Sequence, residues 1–306
     1  MDEIFDVIIA GAGAAGLSAG IYSSRARLST LILNEGAVGG QMVLTEEIAN
    51  YPGVETTKGY MLANVMKNQA KEFGCKIKSN LKIRSYKLEG EVKHIVLEDG
   101  RQFSSRAVIL APGGRPRPLG IPGEDSFRGT GVSYCATCDG DFFAGKQVIV
   151  VGGGNSALEE AVALTQYAEK VTIVHQFDHF QAFQHAVEQA KANPRIQFIM
   201  ETELRSFTGK GVLEEVSMEH LPTGKISSMK IDGVFIFAGY MPNTEDLEGI
   251  VKLSDRKEII VDEGMKTSVP GVFAAGDCIV KRYRQVTTAV ADGTIASLSV
   301  AEYLRH

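Results

Sequence analysis

Two stretches of the chain carry one pattern of apolar and small positions. Val7-Ile8-Ile9-Ala10 is a short apolar, β-branched run that enters Gly11-Ala12-Gly13-Ala14-Ala15-Gly16 and continues as Leu17-Ser18-Ala19-Gly20-Ile21-Tyr22. A strand, a glycine turn and a helix are predicted in that order. Gln147-Val148-Ile149-Val150-Val151 repeats the pattern, leading into Gly152-Gly153-Gly154-Asn155-Ser156-Ala157 and the helix-like Leu158-Glu159-Glu160-Ala161-Val162-Ala163-Leu164. Each stretch is followed by a second strand at a matching offset: Thr30 to Leu33, closed by Asn34-Glu35, and Val171 to Val174, closed by His175-Gln176. An α/β fold with two Rossmann-like dinucleotide-binding units follows.

Other segments fill in around these. Gly59 to Phe73 has helical spacing of Met61, Leu62, Val65, Met66, Ala70 and Phe73 and stops at Gly74; its methionines read as core filler. From about Lys76 to Phe103, alternating segments with a turn at Asp99-Gly100 predict a small antiparallel sheet. Ala107 to Ala111 reads as a buried strand, and it runs into a stretch dense in Pro and Gly, Pro112 to Gly123, that marks a linker or domain edge. A second linker-like turn, Gly239 to Thr244, follows a strand around Ile231 to Ala238. Thr267 to Cys278 brings a strand to Gly276-Asp277, and the small-residue-rich Thr287 to Leu304 closes the chain as a helix.

With 306 residues, 44% of them hydrophobic, the chain is long enough for two domains. A net charge of −5 with scattered basic residues gives no nucleic-acid footprint. No apolar run approaches the roughly 18 residues that span a bilayer. The acidic opening, Met1-Asp2-Glu3, carries no basic leader, so a cytoplasmic protein is expected.

Candidate chemistry sits at four places. In the first glycine turn Gly11 permits the tight turn, Gly13 lets the backbone approach a pyrophosphate and Gly16 allows close helix–strand packing; Gly152, Gly154 and Ala157 stand in the same positions of the second. Glu35 stands where such folds carry a ribose-binding acid, with an ordinary solvated carboxylate as the alternative. Asp277 is placed to accept hydrogen bonds from sugar-like hydroxyls, with a plain loop Asp as its alternative. Cys135-Ala136-Thr137-Cys138-Asp139 sets two thiols two residues apart with a carboxylate beside them. One thiolate of such a pair can attack a partner's disulfide while the other resolves the mixed disulfide. Half a zinc site or a structural bridge are the alternatives. Cys75 and Cys278 stand alone, so no second pair completes a four-cysteine metal site and no metal is expected; Cys75 reads as an inert buried thiol.

Taken together, these residues resemble the low-molecular-weight thioredoxin reductases, nearly end to end. The likeness rests on Gly11-x-Gly13-x-x-Gly16, Gly39-Gly40-Gln41, Asn50-x-Pro52-Gly53, Cys135 to Gly140, Gly152-x-Gly154-x-x-Ala157, Gly276-Asp277-Cys278 and Arg284-Gln285-Val286, all in family order. The resemblance implies an FAD-binding domain made of residues 1–117 and 245–306, with a pyridine-nucleotide-binding-like domain, 118–244, inserted into it and carrying the redox disulfide. It implies that Gly11, Gly13, Gly16, Gly40, Gln41, Asn50, Asp277 and Gln285 contact FAD. It further implies that Cys138 takes electrons from the flavin, Cys135 exchanges with a thioredoxin-like protein, Asp139 carries the proton, and the protein is a homodimer.

One departure matters. NADPH-using members carry His-Arg-Arg-x-x-x-Arg after the second strand of the inserted unit, and here the run is His175-Gln176-Phe177-Asp178-His179-Phe180-Gln181. The guanidiniums that pair with the 2′-phosphate are missing. Charge-assisted bonds are worth about 1.5 to 3 kcal/mol each, so NADPH should lose orders of magnitude in affinity. Gln176 keeps an amide for a ribose hydroxyl, which leaves NADH compatible with the intact pyrophosphate turn; ferredoxin feeding the flavin directly is the alternative donor. The competing functions are an FAD-dependent dithiol oxidase that passes electrons to oxygen and a nonenzymatic redox-sensing flavoprotein.

Overall fold

Val7, Ile8 and Ile9 have no exposed surface, which alternating side-chain direction permits only in a strand covered on both faces. The computed structural model describes residues 3–44, 48, 50–134 and 136–305; of Leu44, Thr137 and Cys138 only the backbone is described. The chain divides into two units, Met1–Arg115 with Met241–His306, and Pro116–Tyr240. The break falls where the local bonds change allegiance. Asn243 N–H and its side-chain amide donate to Gly113 and Pro112 carbonyls, and Arg115 donates to Asn243 Oδ1, so Asn243 is held by the first unit.

In the first unit β1 (Ile4–Ala10) is central. It pairs in parallel with β2 (Thr30–Leu33) and with Ser104 to Leu110 of a nine-residue strand further on, Ile8 lying opposite Leu31 and Val108. Beyond β2 lies the parallel edge strand β3 (Lys76–Lys78), followed in the chain by β4 (Ile83–Lys87), β5 (Lys93–Leu97) and that long strand, β6 (Gln102–Leu110). The antiparallel pairing expected from Lys76 to Phe103 forms in β4, β5 and β6, as part of the larger mixed sheet and without Lys76–Lys78. Lys76–Lys78 joins the parallel sheet, and the β4–β5 hairpin pairs antiparallel with the N-terminal half of β6. One edge of β6 is long enough for two ladders, β5 along its N-terminal half and Val272–Ala274 along its C-terminal half. Val272–Ala274 pairs with β6 in parallel, Phe273 opposite Ile109.

Val7 and Ile9 face a layer of helices: α1 (Ala14–Arg25), α2 (Gly59–Glu72) and the C-terminal helix Val286–Tyr303. Phe5, Ile8 and Ala10 face Ile95, Leu97, Leu247 and Ile259 on the other side. Burying each such Ile or Leu is worth about 1.5–3 kcal/mol. In α2 the buried ridge is Leu62, Ala63, Met66 and Ala70, whereas Met61, Val65 and Phe73 are exposed. The core-filler reading therefore holds for Met66 and fails for Met61, because helical spacing alone does not say which of two adjacent ridges meets the sheet.

The second unit repeats the plan. Its parallel sheet joins β7 (Val132–Ser133), β8 (Gln147–Val151), β9 (Lys170–Val174) and β10 (Ile196–Ile199) with the strand Gly233–Ile236, Val150 lying opposite Ile173 and Phe235. Val148, Val150, Val171 and Ile173 pack under α4 (Asn155–Leu164) and α5 (Gln184–Ala192), which follow the one-turn α3 (Ala136–Asp139). The opposite face meets an antiparallel meander of Thr202–Thr208, Glu215–His220 and Lys225–Lys230 through Leu204, Phe207 and Val216. Among the described residues no helix is long and apolar enough to cross a membrane.

Candidate active site

The first glycine turn is shut on two sides and open on the third. Gly11 has φ +115°, and a Cβ there would lie 2.0 Å from the Ala111 carbonyl oxygen; a Cβ on Gly16 would lie 2.0 Å from that of Gly11. At Gly13, the residue before α1, nothing lies within 4 Å. The first turn of α1 has no acidic residue and its N-cap makes no side-chain hydrogen bond, so its amides are available to an anion. Gly40 backs onto this turn, its Cβ position 3.0 Å from Gly13 Cα. Asn34, which sequence reading passed over, accepts the Ala12 N–H at 2.9 Å and so braces the turn from the end of β2. Its neighbour Glu35 accepts the Ile83 N–H at 2.9 Å through Oε1.

Four more expected residues lie in the same unit. Gln41 donates to the Gly114 carbonyl at 3.1 Å, and Asn50 donates to Gln285 Oε1 at 3.1 Å. Gln285 also caps the C-terminal helix, in a box with Thr288. Asp277 is half-buried, and its buried Oδ1 makes no hydrogen bond among the described residues although Lys281 Nζ stands 2.9 Å away. The ammonium thus covers the buried side of the carboxylate, and the quarter of the side chain that stays exposed lies away from Oδ1.

The second turn has the same open centre. Nothing lies within 4 Å of a Cβ on Gly154, whereas one on Gly152, at φ +135°, would meet the Phe237 carbonyl at 2.5 Å and Ala157 at 3.1 Å. The loop after β9 folds back over it: Gln181 N–H donates to the Gly153 carbonyl at 2.8 Å, and Phe183 N–H to Asn155 Oδ1 at 2.6 Å. His175 is buried, with Phe177 edge-on at 5.3 Å and Phe180 stacked at 5.9 Å. Its Nε2 has no hydrogen-bond partner among the described residues, and burial lowers its pKa, so the ring is neutral. Gln176 is exposed and borders a cavity of about 430 Å³ shared by Gly152, Gly153, Gly154, His175 and Gln181. Arg117 and Arg205 are the cations among its lining residues, and Arg205 is already paired with Glu203 at 2.8 Å and Glu219 at 2.6 Å.

Cys135 lies outside the described residues, and Cys138 falls within α3. Their surroundings are well held. Ser133 donates to Asp139 Oδ2 at 2.6 Å, a partner that sequence spacing gives no sign of. Tyr134 donates to Glu124, whose buried carboxylate also accepts the Leu119, Gly120 and Ile121 amides. Cys75 and Cys278 are buried elsewhere, and burial pushes their thiols up to about 11 and about 12, so neither is a thiolate near neutral pH. Among the described residues no cluster of His, Cys, Asp or Glu could hold a metal.

One glycine turn in each unit, set between a buried parallel strand and a helix N-terminus, defines a protein with two Rossmann-like dinucleotide-binding units, the second inserted into the first. Residues 5–293 match the family described as pyridine nucleotide-disulphide oxidoreductase. The thioredoxin reductase of Peptoclostridium acidaminophilum is 42% identical over 311 residues, covering 99% of this chain and 98% of its own. That of Bacillus subtilis is 42% identical over 313 residues, 100% of this chain and 96% of its own. The crystal structure of Lactococcus lactis thioredoxin reductase in its FR conformation superposes with a TM-score of 0.93 at 36% identity, over 98% of this chain and 99% of that one. The chain belongs to the pyridine nucleotide-disulphide oxidoreductases, as an enzyme of the low-molecular-weight thioredoxin reductase type. This family uses FAD and a pyridine nucleotide, and the open Gly13 turn and the part-exposed Asp277 carboxylate fit such a cofactor.

Proposed function

We propose that the chain takes two electrons from a nicotinamide donor without a 2′-phosphate, NADH, and passes them through FAD to the Cys135–Cys138 disulfide and on to a thioredoxin-like protein. The observation that carries the choice of donor is the second turn. Gly154 stays open at the N-terminus of α4, while residues 175–181 offer no Lys or Arg and instead present the Asp178 carboxylate, 2.7 Å from His179. A 2′-phosphate brought there would meet an acid where its guanidinium partners are needed. A ribose diol needs only neutral hydrogen bonds, which the Gln176 amide supplies.

In this reading Gly11, Gly13, Gly16 and Gly40 admit the FAD pyrophosphate to the N-terminus of α1, and Asp277, Asn50, Gln41 and Gln285 supply polar contacts. The turn at Gly152, Gly154 and Ala157 does the same for NADH. FAD, when bound, supplies the one capacity that side chains lack: accepting a hydride and delivering its electron pair to sulfur. Cleaving the Cys135–Cys138 bond takes up that pair and two protons. Asp139, held by Ser133, gives a proton to the dithiol and takes it back. The Cys135 thiolate attacks the partner's disulfide, Cys138 displaces the partner as a dithiol, and the internal disulfide re-forms. Cys135→Ser should keep its FAD and lose turnover toward a thioredoxin disulfide; undiminished turnover would overturn the assignment of the exchanging thiol.

A further inference from the structure

Behind Asp277 lie two charged side chains, Lys281 and Asp292, that the catalytic scheme does not use. Lys281 Nζ stands 2.9 Å from Asp277 Oδ1 and 2.8 Å from Asp292 Oδ2, and the side chains of Lys281 and Asp292 are each only 12% exposed. The two contacts differ in kind. Lys281 donates a hydrogen bond to Asp292, and more weakly to Thr288 Oγ1 at 3.4 Å, but makes none to Asp277 Oδ1.

Asp292 grips the same place from a second direction. It lies on the C-terminal helix, and its Oδ2 also accepts the Gly276 N–H at 3.2 Å, one residue before Asp277. Gly276 itself sits at φ +89° with its Cβ position 2.8 Å from the Ala15 side chain, so this turn is pressed against the start of α1. The C-terminal helix is tied to α1 by Ser18 donating to the Val290 carbonyl at 2.9 Å and by the Ser23–Ser297 hydroxyl pair at 2.8 Å. The ammonium therefore hangs from a rigid helix pair, beside the Asp277 carboxylate.

Two half-buried carboxylates around a single cation make an unstable group if the cation is removed. Burial already raises the Asp292 pKa, and the Asp277 charge adds to that. Without Lys281, Asp292 would take up a proton more readily, or Asp277 would turn away from it.

We propose that Lys281 is a positioning residue for FAD: it neutralises Asp277 from the buried Oδ1 side, leaving the outer face of that carboxylate to the cofactor, and Asp292 holds the ammonium in that place. The inference rests on the reading that Asp277 accepts hydrogen bonds from FAD, so its test separates the two. The full-length chain is stripped of flavin, and FAD is titrated back while the quenching of flavin fluorescence is followed; thermal unfolding of each apoprotein runs alongside. Lys281→Met is expected to weaken FAD binding about 10- to 100-fold. Lys281→Arg should stay within about threefold of the parent, and Lys281→Met with Asp292→Asn, which restores the parent net charge, should recover most of the loss. A merely structural lysine would lower apoprotein stability without that recovery.

If Asp277→Asn weakens FAD while Lys281→Met binds it like the parent, the proposal fails and the reading of Asp277 stands. If Asp277→Asn binds FAD like the parent, both fail. If Lys281→Met does not fold, the double variant decides: parent-like FAD affinity supports the account, and affinity as poor as that of Asp277→Asn overturns it.

Discussion

The edge of the His175 ring lies against the α-carbon of Gly153, so close that a Cβ there would sit 2.4 Å from Nε2 and 2.5 Å from the two carbons beside it. One contact thus joins the end of β9 to the phosphate-binding turn. Gly153→Ala should force the ring or the turn to move, costing on the order of 1–3 kcal/mol of stability. The test is a double-mutant cycle in urea: Gly153→Ala combined with His175→Ala should be no less stable than His175→Ala alone. Additive losses would mean that the contact is not what limits the site.

The loop that carries His175 is where the proposed choice of donor can be tested. Gln176 and Gln181 are exposed and Phe177 is 38% exposed, so arginines at these three positions can reach solvent without opening the core. Gln176→Arg, Phe177→Arg and Gln181→Arg together should raise kcat/KM for NADPH by about 10- to 1,000-fold, the worth of one or two charge-assisted bonds. Steady-state rates with NADPH and NADH check this, and an unchanged ratio would contradict it.

Ser133 is expected to matter through Asp139. Removing its 2.6 Å hydrogen bond with Ser133→Ala should slow formation of the dithiol by about 3- to 10-fold while FAD content and melting temperature stay at parent values. Single-turnover stopped-flow reduction gives the rate directly.

Glu160 on α4 provides a pH signature. Burial, and after it the Glu159 charge, raise its carboxyl from 4.5 to about 7. The folded state then holds a proton that the unfolded chain has released, so the contribution is fully present below about 4.5 and is lost as pH rises to about 7. Unfolding stability should fall by on the order of 2–3 kcal/mol across that window. In Glu160→Gln the fall should be absent, and that variant should be the more stable at pH 8. Equal slopes in urea titrations of the two proteins would contradict the assignment.

What was legible in the sequence was whatever depends on neighbours along the chain. The two glycine turns, the apolar strands before them and the cysteine pair with its carboxylate are local patterns with fixed spacing. The partners of those groups were not legible, because contacts between distant segments create them. Asn34 reaches Ala12, Lys281 reaches Asp292, and His175 lies under Gly153, with no spacing rule that pairs them. Met61 was misplaced for a related reason: the sheet, not the helix, decides which ridge of α2 is covered. Lys76–Lys78 joined the parallel sheet because β2 had an open edge, which three alternating residues cannot announce.

The proposed donor, NADH, rests on a glycine turn kept at Gly152–Gly154 without Lys or Arg at residues 175–181 to meet a 2′-phosphate. The most direct measurement is anaerobic reduction of the FAD-loaded enzyme, following flavin bleaching with NADH, NADPH and reduced ferredoxin in turn. The account predicts full bleaching by NADH at concentrations at which NADPH is at least about 100-fold slower. Bleaching by NADPH as fast as by NADH, or by ferredoxin alone, would contradict it.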